Sequence, residues 1–366
     1  MIVSASRRTD LPACYSDWFF NRIKEGFVLV RNPMNFHQVS RISLSPDVVD
    51  GIVFWSKNPK PMLGRLDRLK DYPFYFQFTL TSYGRDIEPG LPGKSEIIDT
   101  FRRLSEKIGA EKVIWRYDPI LLNEKYPILY HVENFGKIAR RLNGCTEKVT
   151  VSFLDFYSRM QKNMERIGGR TPNFDEKNTL AGRLSSIARE NGMLLETCAE
   201  EIDLSAYGIK HARCIDKERF ERIAKCRLDV GKDKNQRPAC GCAASVDIGA
   251  YDSCPCGCLY CYANGSRGRA AGNRKSHDPW SPLLIGTCDS DDRVAERPLS
   301  SSRNPQQSLF WRIIKRRRRR RKLPDVSFFI LFTDPSVFRL YRPSIRKFCK
   351  IFQISANALE SLSDCL

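Results

Sequence analysis

The sequence predicts an α/β fold, a partial (β/α)6-type TIM-like barrel with a metal-binding cysteine loop permuted to the C-terminal part, and three observations predict it. Short apolar runs rich in β-branched and aromatic residues alternate with helical patterns over residues 1–200. A short polar group follows each run. After the alternation ends, Cys254, Cys256, Cys258 and Cys261 fall in quick succession. Alternation of this kind marks parallel β/α units, and such folds place their chemistry on the loops at the C-terminal ends of the strands.

Six strands are expected, at Ile2–Ser4, Gly51–Trp55, Phe74–Leu80, Lys112–Arg116, Val149–Leu154 and Met193–Thr197. Helices are expected between them at Ser16–Glu25, Pro61–Lys70, Ser95–Ile108, Val132–Leu142 and Asn178–Asn191. The last two carry apolar residues at three- and four-residue spacings, and Gly192 supplies a stop. The stretch 28–44 reads as a small hairpin outside the barrel. Residues 201–286 form a cysteine-rich segment that completes the barrel and carries the loop, 287–310 close this region, and 311–366 are a basic tail.

The polar groups at the strand ends supply the candidate site. They include Arg7 in SRRTD, Lys57 in SKNP, and Arg116 with Asp118 in RYDP. Each alone could be a loop or cap residue: Asp10 could cap a turn before Pro12, and Arg116 could pair structurally with Asp118. Together they offer donors and acceptors to an anionic cofactor or a ribose.

Length and composition bound the rest. The chain has 366 residues, 42% of them hydrophobic, sufficient for a sizeable core. No basic leader with an apolar core and no apolar stretch of membrane-spanning length is present, so the cytoplasm is expected and a membrane is not. Fourteen cysteines in such a chain point to metal or redox chemistry rather than a disulfide framework. The net charge is +19, of which residues 311–366 hold +10, from 14 basic against 4 acidic residues. The block Lys315–Lys322, KRRRRRRK, could meet nucleic acid or another acidic surface, although a like-charge run this dense is usually solvated and disordered. We expect this tail to be an extension with no part in the chemistry. The remaining +9 is compatible with a phosphate-rich substrate without demanding one.

Cys254, Cys258 and Cys261 spell C-x3-C-x2-C. Three thiolates so spaced can hold one face of a [4Fe-4S] cluster and leave an iron open, whereas ordinary clusters use four. A zinc knot that includes Cys256 is the rival, but C-x-C-x-C wraps one tetrahedral ion poorly. Cys256 is expected to be a spectator. A second set, Cys198, Cys214, Cys240 and Cys242, could hold an auxiliary Fe-S cluster or structural zinc, and the sequence does not choose. Cys14, Cys145, Cys226, Cys288, Cys349 and Cys365 read as free thiols. No H-E-x-x-H or H-x3-H grouping supports a histidine-based zinc hydrolase.

The loop resembles the radical S-adenosylmethionine (SAM) signature, and the string CLYCYAN is similar to the spore-photoproduct-lyase-like branch of that superfamily. MIVSASRRTDLPA, VFWSKNP, YPFYFQFTLT, VIWRYDPI, LETCAEEIDLS and HDPWSPLLIG are similar to an uncharacterised bacterial family, domain-of-unknown-function family 1848, up to about Phe310. In that family's pattern the position of Cys256 is usually not cysteine. The resemblance implies a [4Fe-4S] cluster on Cys254, Cys258 and Cys261, with SAM on its open iron near Tyr260, Arg7 and Lys57. It also implies an electron donor such as flavodoxin or ferredoxin, and reductive cleavage of SAM to a 5′-deoxyadenosyl radical that acts on an unknown substrate, nucleic acid being one option. A zinc- or cluster-stabilised nucleic-acid-binding protein without catalysis is the alternative. Since the loop follows the β/α units, a seventh strand within 244–250 must pair in parallel with Ile2–Ser4 to bring the cysteines opposite Arg7 and Lys57.

Overall fold

Eight parallel strands make the main sheet of the computed structural model, which describes residues 1–304. The strands in chain order are β1 (Ile2–Ala5), β2 (Phe27–Asn32), β3 (Asn35–Ser43), β4 (Gly51–Ser56), β5 (Phe74–Thr79), β6 (Val113–Ile120), β7 (Lys148–Phe153), β8 (Leu194–Thr197), β9 (Lys210–His211), β10 (Val246–Asp247) and β11 (Arg293–Glu296). The main sheet runs β10-β1-β4-β5-β6-β7-β8-β9, and β11-β3-β2 form a second, small sheet. The expected hairpin is the antiparallel pair β2 and β3, with β11 added in parallel.

The six expected strands are all present. The seventh strand expected within 244–250 is β10, and β9 brings the count to eight; each of the two is only two residues long. Lys210–His211 has no apolar signal to reveal it. The stretch 244–250 contributes only Val246–Asp247, because the Asp247 carboxylate accepts the Gly249 N–H at 3.0 Å and turns the chain. That short strand nevertheless pairs in parallel with β1, Val3 opposite Val246 and Ser4 opposite Asp247.

Helices occupy Leu11–Cys14 (α1), Ser16–Glu25 (α2), Lys94–Ile108 (α3), Ile128–Leu142 (α4), Gln161–Arg166 (α5), Phe174–Glu190 (α6), Lys217–Ala224 (α7) and Arg267–Lys275 (α8). The helix expected at 61–70 is a 3₁₀ run, Lys60–Leu69. Its buried Leu63, Leu66 and Leu69 recur every third residue, the period of a three-residue turn. Asn173 and Glu176 form a capping box that starts α6 earlier than its apolar pattern suggests.

Alternation along the strands sends successive side chains to opposite faces. Val3, Phe54, Phe76 and Trp115 join the larger core together with helix residues such as Trp18, Phe101 and Phe135. Ile2, Val53, Tyr75 and Ile114 face the other way and pack with Cys214, Ile215, Phe220, Cys240 and Cys242. The cysteine-rich segment therefore covers one face of the sheet. Each large side chain buried in this way contributes about 2 kcal/mol relative to exposure. Among the described residues, no helix is long and apolar enough to cross a membrane.

Candidate metal centre at the C-terminal ends of the strands

Because the main strands run in parallel, the loops after β1, β4, β6, β8, β9 and β10 all emerge along one edge. That edge collects Arg7, Lys57, Asp118, Cys198, Cys214 and the loop of Cys254–Cys261. Asp247, the last residue of β10, fastens the junction. Its carboxylate accepts from Ser4 Oγ at 2.8 Å, Ser6 Oγ at 2.6 Å and the Arg7 N–H at 2.8 Å. A Cβ on Gly249 would come within 2.1 Å of Ser6 Oγ, so glycine is required for this close approach.

The loop itself is held at many points. Tyr15 donates its hydroxyl to Ser253 O at 2.6 Å, Asn264 donates to Cys254 O at 2.6 Å, and the Leu259 N–H reaches Ile87 O at 3.0 Å. The Gly90 N–H bonds Cys256 O at 3.0 Å, and a Cβ on Gly90 would meet that same oxygen at 2.6 Å.

Lys57 lies against this loop. Its Nζ donates to Tyr260 OH at 2.7 Å and to Glu88 Oε1 at 2.8 Å, and the Tyr260 hydroxyl donates to the same carboxylate. Thr81 Oγ1, at 2.8 Å, and Lys94 complete the shell around Glu88. Burial opposes ionisation of Glu88, but Lys57 and Lys94 outweigh it and hold the carboxyl down at about 2. Burial likewise works against the Lys57 charge, and Glu88, with a smaller contribution from Cys258, carries its pKa above the ordinary value. Two ammoniums against one carboxylate leave a net positive charge beside Cys258.

On the other side of the edge, Arg116 donates to Cys214 Sγ at 2.8 Å and is ion-paired with Asp118. Asp118 also accepts from Ser152 Oγ. The guanidiniums of Arg7 and Arg116 both lie over Trp55, 5.4 and 5.2 Å from its ring centroid. Burial opposes the charge on Arg7, yet Cys242, Cys214 and Asp247 raise its pKa. Tyr262, beside Cys261, donates its hydroxyl to Arg7 O at 2.9 Å. Arg7 thus stands between the two cysteine groups. Its Nη2 and Trp55 Nε1 are buried donors without a partner, as suits an anionic ligand bound here.

Cys198 and Cys214 have sulfurs 3.1 Å apart. Cys214 and Cys242, and Cys242 and Cys240, shift one another's thiol pKa. Cys254, Cys258 and Cys261 lie within one another's electrostatic field, and burial raises the thiol pKa of both Cys258 and Cys261. Neither set closes as tightly as Cys14, Cys254 and Cys256, whose sulfurs all lie within 4.8 Å of one another. Hydrogen bonds from Cys14 and Cys256 hold the Cys254 thiol well below its ordinary pKa.

The structure brings together all the expected residues, Arg7, Lys57, Arg116, Asp118, Tyr260 and both cysteine sets, along one edge. It also draws in residues outside the expectation. Cys14, read as a free thiol, and Cys256, read as a spectator, both meet Cys254. Glu88, in the long β5–α3 connection, and Lys94, the first residue of α3, sit beyond the polar group at the end of β5. Asp247 lies within the strand expected over 244–250, ahead of the cysteine loop, and the expected pairing of that strand with Ile2–Ser4 was the available signal.

The family model described as Domain of unknown function (DUF1848) matches residues 2–263, which takes in the whole main sheet and both cysteine groups. No curated protein matches the chain.

Proposed function

The chain belongs to the family of the domain of unknown function DUF1848, and on that premise we propose that it is a radical-SAM-like iron-sulfur enzyme working in the reducing cytoplasm on a partial TIM-like barrel. The observation that supports this most is the pairing of β10 with β1, which delivers a C-x3-C-x2-C loop to the strand edge that also carries Arg7 and Lys57.

The donor set fits a cluster better than a single ion. Thiolates on one tetrahedral ion with bonds of about 2.3 Å lie about 3.8 Å apart, and Cys254, Cys258 and Cys261 are not so gathered. A cubane seats each thiolate on a different iron and spreads them further. When bound, the cluster would supply one electron, from a donor such as flavodoxin or ferredoxin, for cleavage of SAM to a 5′-deoxyadenosyl radical. Lys57 and Lys94 offset thiolate charge, Glu88 orients Tyr260 and Lys57, and the unpaired donors of Arg7 and Trp55 are available to an anionic group such as the SAM carboxylate. Arg116 and Asp118 line the same edge for a substrate.

One observation favours the other reading, a metal-stabilised nucleic-acid-binding protein without catalysis. The sulfurs of Cys14, Cys254 and Cys256 are close enough together for a single ion. Anaerobic reconstitution with iron, sulfide, dithionite and SAM separates the two. The enzyme reading expects 5′-deoxyadenosine, its loss in Cys258→Ala, and retained iron in Cys14→Ala and Cys256→Ala. An intact cluster that yields no 5′-deoxyadenosine overturns SAM cleavage, and metal lost from both of the latter variants but kept in Cys258→Ala establishes the single-ion site.

A further inference from the structure

The strand edge that carries the cysteine loop is rimmed by exposed aromatic rings and arginines in alternation. Phe156 and Tyr157 leave the end of β7, 53% and 42% exposed, and Tyr262, next to Cys261, is 42% exposed. The Tyr157 and Tyr262 rings lie 5.5 Å apart at 40°. The Tyr262 hydroxyl donates to Arg7 O at 2.9 Å, which fixes the pair at the mouth of the site. Close by, the Tyr251 ring carries two guanidiniums, Arg8 5.1 Å and Arg159 5.3 Å from its centroid. Single exposed aromatics need no explanation, but rings gathered from segments about 100 residues apart, with arginines between them, do.

The charge along this rim suits a polyanion. Arg237 is held by Asp155, next to Phe156, and Arg159 by Asp252 at 3.3 Å, so both guanidiniums are fixed while nearly half exposed. Helix α8 follows the cysteine loop, with Arg267 donating to Gly257 O at 3.1 Å, and it carries four basic residues and no acidic one. Together these cations outnumber the carboxylates of Asp155, Asp247 and Asp252 that pair with arginines here. A row of cations interleaved with flat rings takes phosphates on the first and unpaired bases on the second, whereas a duplex hides the faces of its bases. An acidic protein surface would meet the arginines but offers no row of flat faces to the rings. From this arrangement we infer that Phe156, Tyr157 and Tyr262 form a stacking platform for single-stranded nucleic acid, with its phosphates on Arg159, Arg237 and α8. The inference gives the proposed function its substrate class and rests on that reading only for the chemistry that follows binding; its test uses no SAM, so either can fail alone.

The test irradiates the full chain with an iodouracil-substituted single strand of about 12 nucleotides and maps the crosslinks by peptide mass spectrometry. Crosslinks at Phe156, Tyr157 or Tyr262 are expected. Binding of the same strand is then followed by fluorescence anisotropy at about 0.2 M salt, which weakens phosphate contacts of the 311–366 block more than stacking. Tyr157→Ala/Tyr262→Ala should weaken it by about tenfold, and Tyr157→Phe/Tyr262→Phe, which keeps both rings, should leave it within about twofold. Arg267→Gln/Arg269→Gln should lower the slope of log affinity against log salt by about one. The substituted side chains are exposed, and far-UV circular dichroism checks each fold. Crosslinks confined to residues 311–366, an Ala pair that binds like the parent, an equal loss in the Phe pair, or a blunt duplex bound as tightly as the strand overturns the inference. So does a parent chain that binds no strand but retains flavodoxin through Arg267 and Arg269, which gives the rim to an electron donor instead.

Discussion

Glu88 is a buried carboxylate whose oxygens meet Lys57, Lys94, Thr81 and Tyr260. Glu88→Gln leaves two ammoniums facing a neutral amide. Because breaking a buried pair costs about 3–5 kcal/mol and Lys94 reaches solvent, we expect a loss of about 3 kcal/mol by chemical denaturation; a loss below about 1 kcal/mol would show that the lysines find other partners. His131 contributes a pH dependence just below neutrality, where Asp10 and Glu200, raised by burial to about 6 and about 7, contribute with the opposite sign. His131 is fully buried, and its ring bonds Tyr117 OH at 2.9 Å and Leu121 O at 2.8 Å. Burial lowers its pKa to about 4, against 6.5 ordinarily. Between those values this site binds more protons in the unfolded chain than in the folded one, so its contribution to stability rises with pH across the window and is lost on acidification from 6.5 towards 4. The full swing is about 3 kcal/mol. His131→Gln should make denaturation midpoints rise less, or fall, with pH over that window, and an unchanged slope would assign the pH dependence elsewhere. Glu88 acts in a lower window: its contribution is present above the ordinary carboxylate pKa and is lost as pH falls through about 2.

The decisive element is β10, two residues long and held to β1 by little more than the Asp247 carboxylate and the Ile248 N–H to Ser4 O bond at 3.1 Å. Asp247→Ala strands two hydroxyls and the backbone N–H groups of Arg7 and Gly249. Hydrogen bonds to charged groups are worth about 1.5–3 kcal/mol each, so the cysteine loop should detach before the rest of the sheet. The expected signature is reduced iron content with far-UV circular dichroism preserved; full iron retention would mean that the loop holds itself. The long strands were legible because β4 to β7 are continuous β-branched and aromatic runs. Element β10 was legible as a strand within 244–250 that pairs with Ile2–Ser4, though not its short length, and β9 was not, since two residues carry no periodicity. The cysteine pattern was legible as chemistry, but its neighbours were not: Cys14 reaches Cys254 only because α1 packs beside the loop, and Glu88 reaches Tyr260 only through a turn within the β5–α3 connection.

For the whole molecule, the described residues end at 304 and the family match at 263, while the tail expectation for 311–366 lies outside the described residues. Every contact described for both cysteine groups falls within 1–304. A chain ending at residue 310 should therefore keep the metal content and thermal midpoint of the full chain, and loss of either would give the tail a part in the fold. The pairing of the first strand with a late one also has a consequence in time. About 240 residues separate Ala5 from Val246, roughly 12–50 s of synthesis at about 5–20 residues per second. Through that interval the outer edge of β1 waits unpaired, and Cys198 and Cys214 emerge well before Cys240 and Cys242. Both thiol groups are completed only by residues 240–261, so a chain arrested before them exposes an open sheet edge and two thiols that have no centre to join.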